Sequence, residues 1–119
     1  MRKIENRNDI KELLNQEMVV VFFYSSWSEY SQNSKSIVES IANYDKMKGS
    51  IINFWFGQLE EDLVYLAKEF AGLGVPKSNF CGNGSLSFFA NGKHIACIDS
   101  VVSEGIDNVN CKIEKIFNL

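Results

Sequence analysis

The chain has 119 residues, a formal net charge of -3, and 45% apolar, 13% aromatic and 23% charged residues, which is the size and composition of one globular domain, residues 1–119, with a buried core. The acidic balance argues against an electrostatic grip on nucleic acid or on an anionic membrane. Cys81, Cys97 and Cys111 are odd in number and lack a CxxC spacing, so neither a disulfide framework nor a zinc site is indicated, and no metal or cofactor is expected.

Arg2 to Glu5 reads as a short strand. Behind it Ile10, Leu13 and Leu14 fall at helical spacing, with Asn8 and Asp9 placed to cap the first free N–H groups. Arg2, Lys3 and Arg7 alternate with Glu5, Asp9 and Glu12, the pattern of a solvated face. Met18 to Tyr24, MVVVFFY, is continuous, β-branched and aromatic, which predicts a strand covered on both faces. It is far shorter than the roughly 20 residues of a spanning helix, and no small-residue cleavage site follows it, so a cytoplasmic protein is expected.

From about Glu29 to Lys48 the residues Ile37, Val38, Ile41 and Ala42 form one apolar stripe, ended by Gly49. Ser50 to Phe56 predicts a second buried strand. Leu59, Leu63, Leu66, Ala67 and Phe70 repeat with the period of a helix facing a sheet, and Gly72 and Gly74 stop it. A glycine-rich loop, Gly72 to Gly84, carries the only proline, Pro76. Beyond it two apolar runs flank Ala90-Asn91-Gly92, a strong hairpin signal. A last helix from about Ser103 places Ile106, Val109, Ile113, Ile116 and Phe117 on one face and leaves Cys111 off it.

The order β-α-β-α-β-α-β-β-α predicts a three-layer α/β/α sandwich. Its central mixed sheet has four to five strands, parallel where crossovers join them and antiparallel at the hairpin.

Three stretches in this order resemble the thioredoxin family over nearly the whole chain. Phe23-Tyr24-Ser25-Ser26-Trp27-Ser28-Glu29-Tyr30-Ser31 is similar to the apolar strand followed by W-C-x-x-C at the start of a long helix. Phe70-Ala71-Gly72-Leu73-Gly74-Val75-Pro76 resembles the family's helix end, and Phe89-Ala90-Asn91-Gly92 its hairpin. The resemblance places Trp27 where the family shields its redox pair and offers an aromatic face to partners.

The departures lie in the chemistry. In the family the first cysteine attacks as a thiolate and the second resolves the mixed disulfide; here those positions are Ser28 and Ser31, which cannot form one. The buried carboxylate that serves the second cysteine corresponds to Phe22, its lysine partner to Asn53, the motif proline to Tyr30 and the helix-kinking proline to Ser36. Replacing two cysteines by serine is also how a trapped form is made, but the whole set of departures reads as natural loss of the reaction. For the family's cis-proline there are two registers eight residues apart. Val75-Pro76 matches by what precedes it, with a cis bond available, and Gly84 matches by distance from Asn91-Gly92. The loop therefore carries an insertion, and Cys81 lies inside it.

The expected function is a redox-inactive protein-binding module with Trp27, Glu29, Tyr30, Val75, Pro76 and Gly84 around its binding patch, as in thioredoxin-fold proteins resembling phosducin. Its partner is a protein or peptide, and the chain itself is expected to be a monomer. The alternative is a thiol-disulfide oxidoreductase in cell redox homeostasis, seen in a serine form or acting through Cys81 as a reactive thiol at a helix N-terminus. A third reading is a fold with no retained site. Serine hydrolysis is disfavoured: the only histidine, His94, is expected to be exposed in the hairpin, away from Ser28 and Ser31. Cys97 is expected to be an inert packing residue.

Overall fold

A computed structural model describes residues 1–119, apart from the side chains of Asp62 and Leu63. Its strands are β1 (Arg2–Lys3), β2 (Met18–Tyr24), β3 (Ile52–Gln58), β4 (Ser85–Ala90) and β5 (Lys93–Ile98). They form one sheet in the order β1-β3-β2-β4-β5. β1, β3 and β2 are parallel, and β4 runs antiparallel to both β2 and β5. The helices are α1 (Arg7–Leu14), α2 (Glu29–Met47), α3 (Leu59–Ala71), α4 (Val101–Glu104) and α5 (Ile106–Ile116), with a 3-10 turn at Lys77–Phe80.

β2 lies between two partners and under helices on both sides, so Val19 to Phe23 have no exposed surface. Alternate side chains then feed two cores. Val19, Val21 and Phe23 pack with Leu13 of α1 and with Leu66 and Phe70 of α3. Val20 and Phe22 pack with Val38 and Ile41 of α2 and with Val109 and Ile113 of α5. Each such side chain contributes about 1.5–3 kcal/mol when fully buried. Leu63, expected on the α3 stripe, lies outside the described side chains.

Several expected boundaries are corrected. Asn6, not Asn8 or Asp9, caps α1: its extended backbone (φ -156°, ψ 178°) lets its side chain accept the Asp9 N–H. The Asp9 carboxylate turns back instead to accept the Glu5 N–H at 2.8 Å and pair with Arg2. β1 ends at Lys3, although the Ile4 N–H still donates to the Phe56 carbonyl. β3 starts two residues later than expected, because the Ser50 hydroxyl takes the Ile52 N–H and Ile51 is left exposed. The last helix is two helices, broken where Gly105 takes φ +84°.

Among the described residues no helix is long and apolar enough to cross a membrane.

Candidate functional site

β2 delivers the chain to a tight turn at the C-terminal edge of the sheet, and α2 starts there. Ser28 caps α2: its backbone is extended and its hydroxyl oxygen accepts the Ser31 N–H at 3.4 Å, satisfying one of the helix's free donors. The same hydroxyl donates to the Gly82 carbonyl at 2.6 Å. Ser31 is fully buried, and its oxygen accepts the Ser25 N–H at 2.6 Å. Both hydroxyl oxygens thus accept backbone N–H groups, and that of Ser28 also donates to a carbonyl.

Above them the aromatic residues stay in solvent. Trp27 is 65% exposed and Tyr30 60%, and Glu29 is also exposed. The edge of the Trp27 indole lies on Gly82, where a Cβ would come within 2.5 Å of Cη2. Gly82 has φ +80°, so glycine is required here by backbone and contact alike.

Gly84, not Pro76, lies at the motif. It precedes β4, whose Ser85 pairs with Phe23, and a Cβ at Gly84 would lie 2.2 Å from Ser34 Oγ and 3.0 Å from the Tyr30 carbonyl oxygen. Pro76 is exposed and opens the 3-10 turn. Among the described residues every peptide bond is trans, including the one before Pro76, so the expected cis option there is corrected. Val75 is buried against the α1–α3 core, its N–H bonded to the Phe70 carbonyl. The inserted stretch folds back onto the site through Gly82. It is anchored from below by Asn79, which donates to Ser87 Oγ at 2.7 Å and accepts the Ser85 hydroxyl on its carbonyl at 2.8 Å.

Phe22 is fully buried, with Phe56 and Leu86 beside it in register. The position next to it in β3 is therefore Phe56, which corrects the expected Asn53: Asn53 pairs with Val19 and is exposed. Cys81 is exposed and its thiol points to the Lys77 carbonyl at 3.7 Å, within its own turn. Cys97 is half-buried, and burial together with the Asp99 carboxylate pushes its thiol up. Ser36 sits in an unbroken α2 with its hydroxyl on the Asn33 carbonyl.

His94 is half-buried rather than exposed. Its ring meets Phe89 edge-on, with centroids 5.4 Å apart, and its Nε2 is buried without a partner. Burial lowers its pKa against a backbone hydrogen bond at Ala96. Phe89 pairs with Val19, five residues from the end of β2 at Tyr24 and about 16 Å along the strand, so His94 serves neither serine.

Glu60, absent from the sequence reading, completes the site. It accepts the Ser26 hydroxyl at 2.5 Å, the Ser26 N–H at 3.0 Å and Gln58 Nε2 at 2.5 Å, fastening the turn before Trp27 to the start of α3. Burial pushes its carboxyl up, but these hydrogen bonds and its own N–H outweigh that and hold it at about 2. Among the described residues no three His, Cys, Asp or Glu side chains cluster as metal ligands would.

No protein-family model matches the chain, and no curated protein matches it in sequence. Solved structures do. The thioredoxin of Malassezia sympodialis, Mala s 13, superposes with a TM-score of 0.73 at 18% identity, over 97% of this chain and 89% of its own. Fasciola hepatica thioredoxin gives 0.74 at 16% identity, over 97% and 98%. Mitochondrial thioredoxin 3 of Saccharomyces cerevisiae in its oxidised form gives 0.72 at 15%, over 97% and 94%. With its five-stranded mixed sheet between two helical layers, the chain has the thioredoxin fold.

Proposed function

We propose that this protein is a cytoplasmic thioredoxin-fold module that binds an extended segment of another polypeptide and runs no dithiol exchange. One observation carries the reading: the Ser28 hydroxyl is tied to the Gly82 carbonyl while Trp27 and Tyr30 remain exposed beside it. A group held by the protein's own loop is a fastener. Two exposed aromatic side chains on a braced turn are interface anchors, because they bury large area at small entropy cost. Ser26 fixed by Glu60, and Gly82 under the indole, supply the bracing.

Selection of peptides from a random library on the immobilised protein tests this. Selected peptides should bind at least tenfold more weakly to Trp27→Ala and Tyr30→Ala, with the fold of both variants intact by circular dichroism. Binding unaffected by either substitution overturns the patch. Insulin-disulfide reduction with a thiol reductant tests the rival: turnover above the reductant's own rate, abolished by Cys81→Ala, replaces the binding reading with one-cysteine redox chemistry.

A further inference from the structure

The chain carries two Asn-Gly steps, Asn83-Gly84 and Asn91-Gly92, and the fold treats them oppositely. Asn91 and Gly92 are the whole turn between β4 and β5: Ala90 pairs with Lys93, and both turn residues have positive φ, +51° and +81°, as a two-residue hairpin turn needs. Asn91 is exposed. Among the described residues the side-chain amides of Asn53, Asn79, Asn83 and Asn108 donate hydrogen bonds, and that of Asn91 donates none. Among the same residues the Gly92 N–H donates to no backbone carbonyl outside the strands.

Asn83 stands in the opposite condition. It is half-buried, its amide lies on the Ser78 carbonyl at 3.5 Å, and the glycine after it is buried. Gly84 is also closed in by Ser34 and the Tyr30 carbonyl, so the peptide between residues 83 and 84 has little room to turn.

From the free amide, the free N–H and the exposed turn we infer that Asn91-Gly92 is a self-modification site, where the folded protein converts asparagine to isoaspartate and aspartate. The Gly92 nitrogen attacks Asn91 Cγ, and a glycine offers no side chain to obstruct that approach. The N–Cγ bond forms, the Cγ–Nδ2 bond breaks, and Nδ2 leaves as ammonia with the former Gly92 proton. The product is a five-membered cyclic imide. Water then opens either of its carbonyls, giving isoaspartate when the main chain is left running through Cγ and aspartate when it is not. Both products add a negative charge, and isoaspartate adds one atom to the main chain of a two-residue turn. The Asn91 N–H holds that turn to the Glu17 carbonyl at 2.9 Å, and a Cβ on Gly92 would come as near to the Leu14 carbonyl. The site is separate from the polypeptide-binding patch: Ala90 pairs with Met18 at the start of β2, whereas the motif follows its end at Tyr24.

The two Asn-Gly steps form an internal control. Wild-type protein is incubated in mildly alkaline buffer, folded and in parallel unfolded in guanidinium chloride, and its peptides are analysed by mass spectrometry with fragmentation that separates isoaspartate from aspartate. Unfolded, the two steps should convert at similar rates. Folded, Asn91 should convert at least tenfold faster than Asn83, with isoaspartate among the products, and the rate should rise between pH 6 and pH 8 because the attacking nitrogen must lose its proton. Equal or faster conversion at Asn83 in the folded protein overturns the proposal. So does the absence of isoaspartate at residue 91 in the folded sample once the unfolded one is half converted. Aspartate alone at residue 91, formed at a rate that falls with rising pH, shows direct hydrolysis of the side chain and overturns it as well.

Discussion

Ser28 and Gly82, 54 residues apart, are joined by a single hydrogen bond from hydroxyl to carbonyl at 2.6 Å, and the Trp27 ring closes over the same glycine. The N-terminus of α2 and the inserted loop are therefore one unit, held by contacts that depend on there being no side chain at position 82.

Gly82→Ala tests that unit. A Cβ at 82 meets the far edge of Trp27 at 2.5 Å, and the backbone at φ +80° adds roughly 1–2 kcal/mol for an L side chain in this region. The indole can swing outward, so the domain should survive with a melting temperature lower by several degrees. Amide exchange in residues 77–83 should rise at least tenfold, since those residues have lost their lid. Unchanged protection in that segment would show that the loop stands without Trp27.

Restoring two thiols tests the chemistry. Ser28→Cys with Ser31→Cys puts the pair at the start of α2, one residue capping the helix and the other buried behind it. An intramolecular disulfide should form on oxidation. Catalysis of insulin reduction should stay far below that of a thioredoxin, because Phe22 and Phe56 fill the layer beneath and, among the described residues, no carboxylate stands there to take a proton. Thioredoxin-like turnover by the double variant would refute the argument from Phe22.

How much of this was legible beforehand follows from what each residue reports. Met18 to Tyr24 is legible to the residue because a strand buried on both faces needs an unbroken apolar run. Ile51 is equally apolar but exposed, so apolar character overran the true start of β3. The α1 cap is not legible among Asn6, Asn8 and Asp9, because each is a good capping residue and only the extended backbone at Asn6 decides between them. At the site, Trp27, Ser28 and Ser31 stand out through the resemblance to the thioredoxin motif. Glu60 and Gly82 do not: one is an ordinary helix-start acid and the other a glycine among several, and each gains its role from a contact across the fold. The Phe56 neighbour of Phe22 required the parallel register itself.

His94 gives the protein an acid-side weakness. Burial lowers its pKa below the ordinary 6.5, so the folded state prefers the neutral ring. The stability this contributes is fully present above pH 6.5 and is lost as the pH falls from there through the folded-state value, since the unfolded chain takes up the proton first. Its unpartnered Nε2 would have to carry that proton in a buried position against Phe89. Between pH 7 and pH 5 the melting temperature of wild type should fall more steeply than that of His94→Phe, which keeps the ring contact and removes the titration. Parallel slopes over that interval would show that His94 does not set it. Glu60, held at about 2, contributes in the opposite sense to its protonation: its share is complete above pH 4.5 and is lost only towards pH 2, outside the window of His94.

Gly84 is held to glycine by its backbone and its neighbours. Its φ of +70° is closed to a proline ring fixed near -65°. Any Cβ there would also sit 2.2 Å from Ser34 Oγ, which is itself committed to the Tyr30 carbonyl at 2.6 Å. Gly84→Ala must either break that bond or move β4 away from α2, and overpacking of this kind together with the backbone term costs about 3 kcal/mol. For a domain of this size the melting temperature should drop by about 10 °C or more. Gly84→Pro should not fold to the same structure at all. Removing the obstacle separates the two costs: in a Ser34→Gly background the penalty of Gly84→Ala should shrink to the backbone term of roughly 1–2 kcal/mol. If the double variant loses as much as the two single changes added together, Ser34 is not what holds position 84 to glycine.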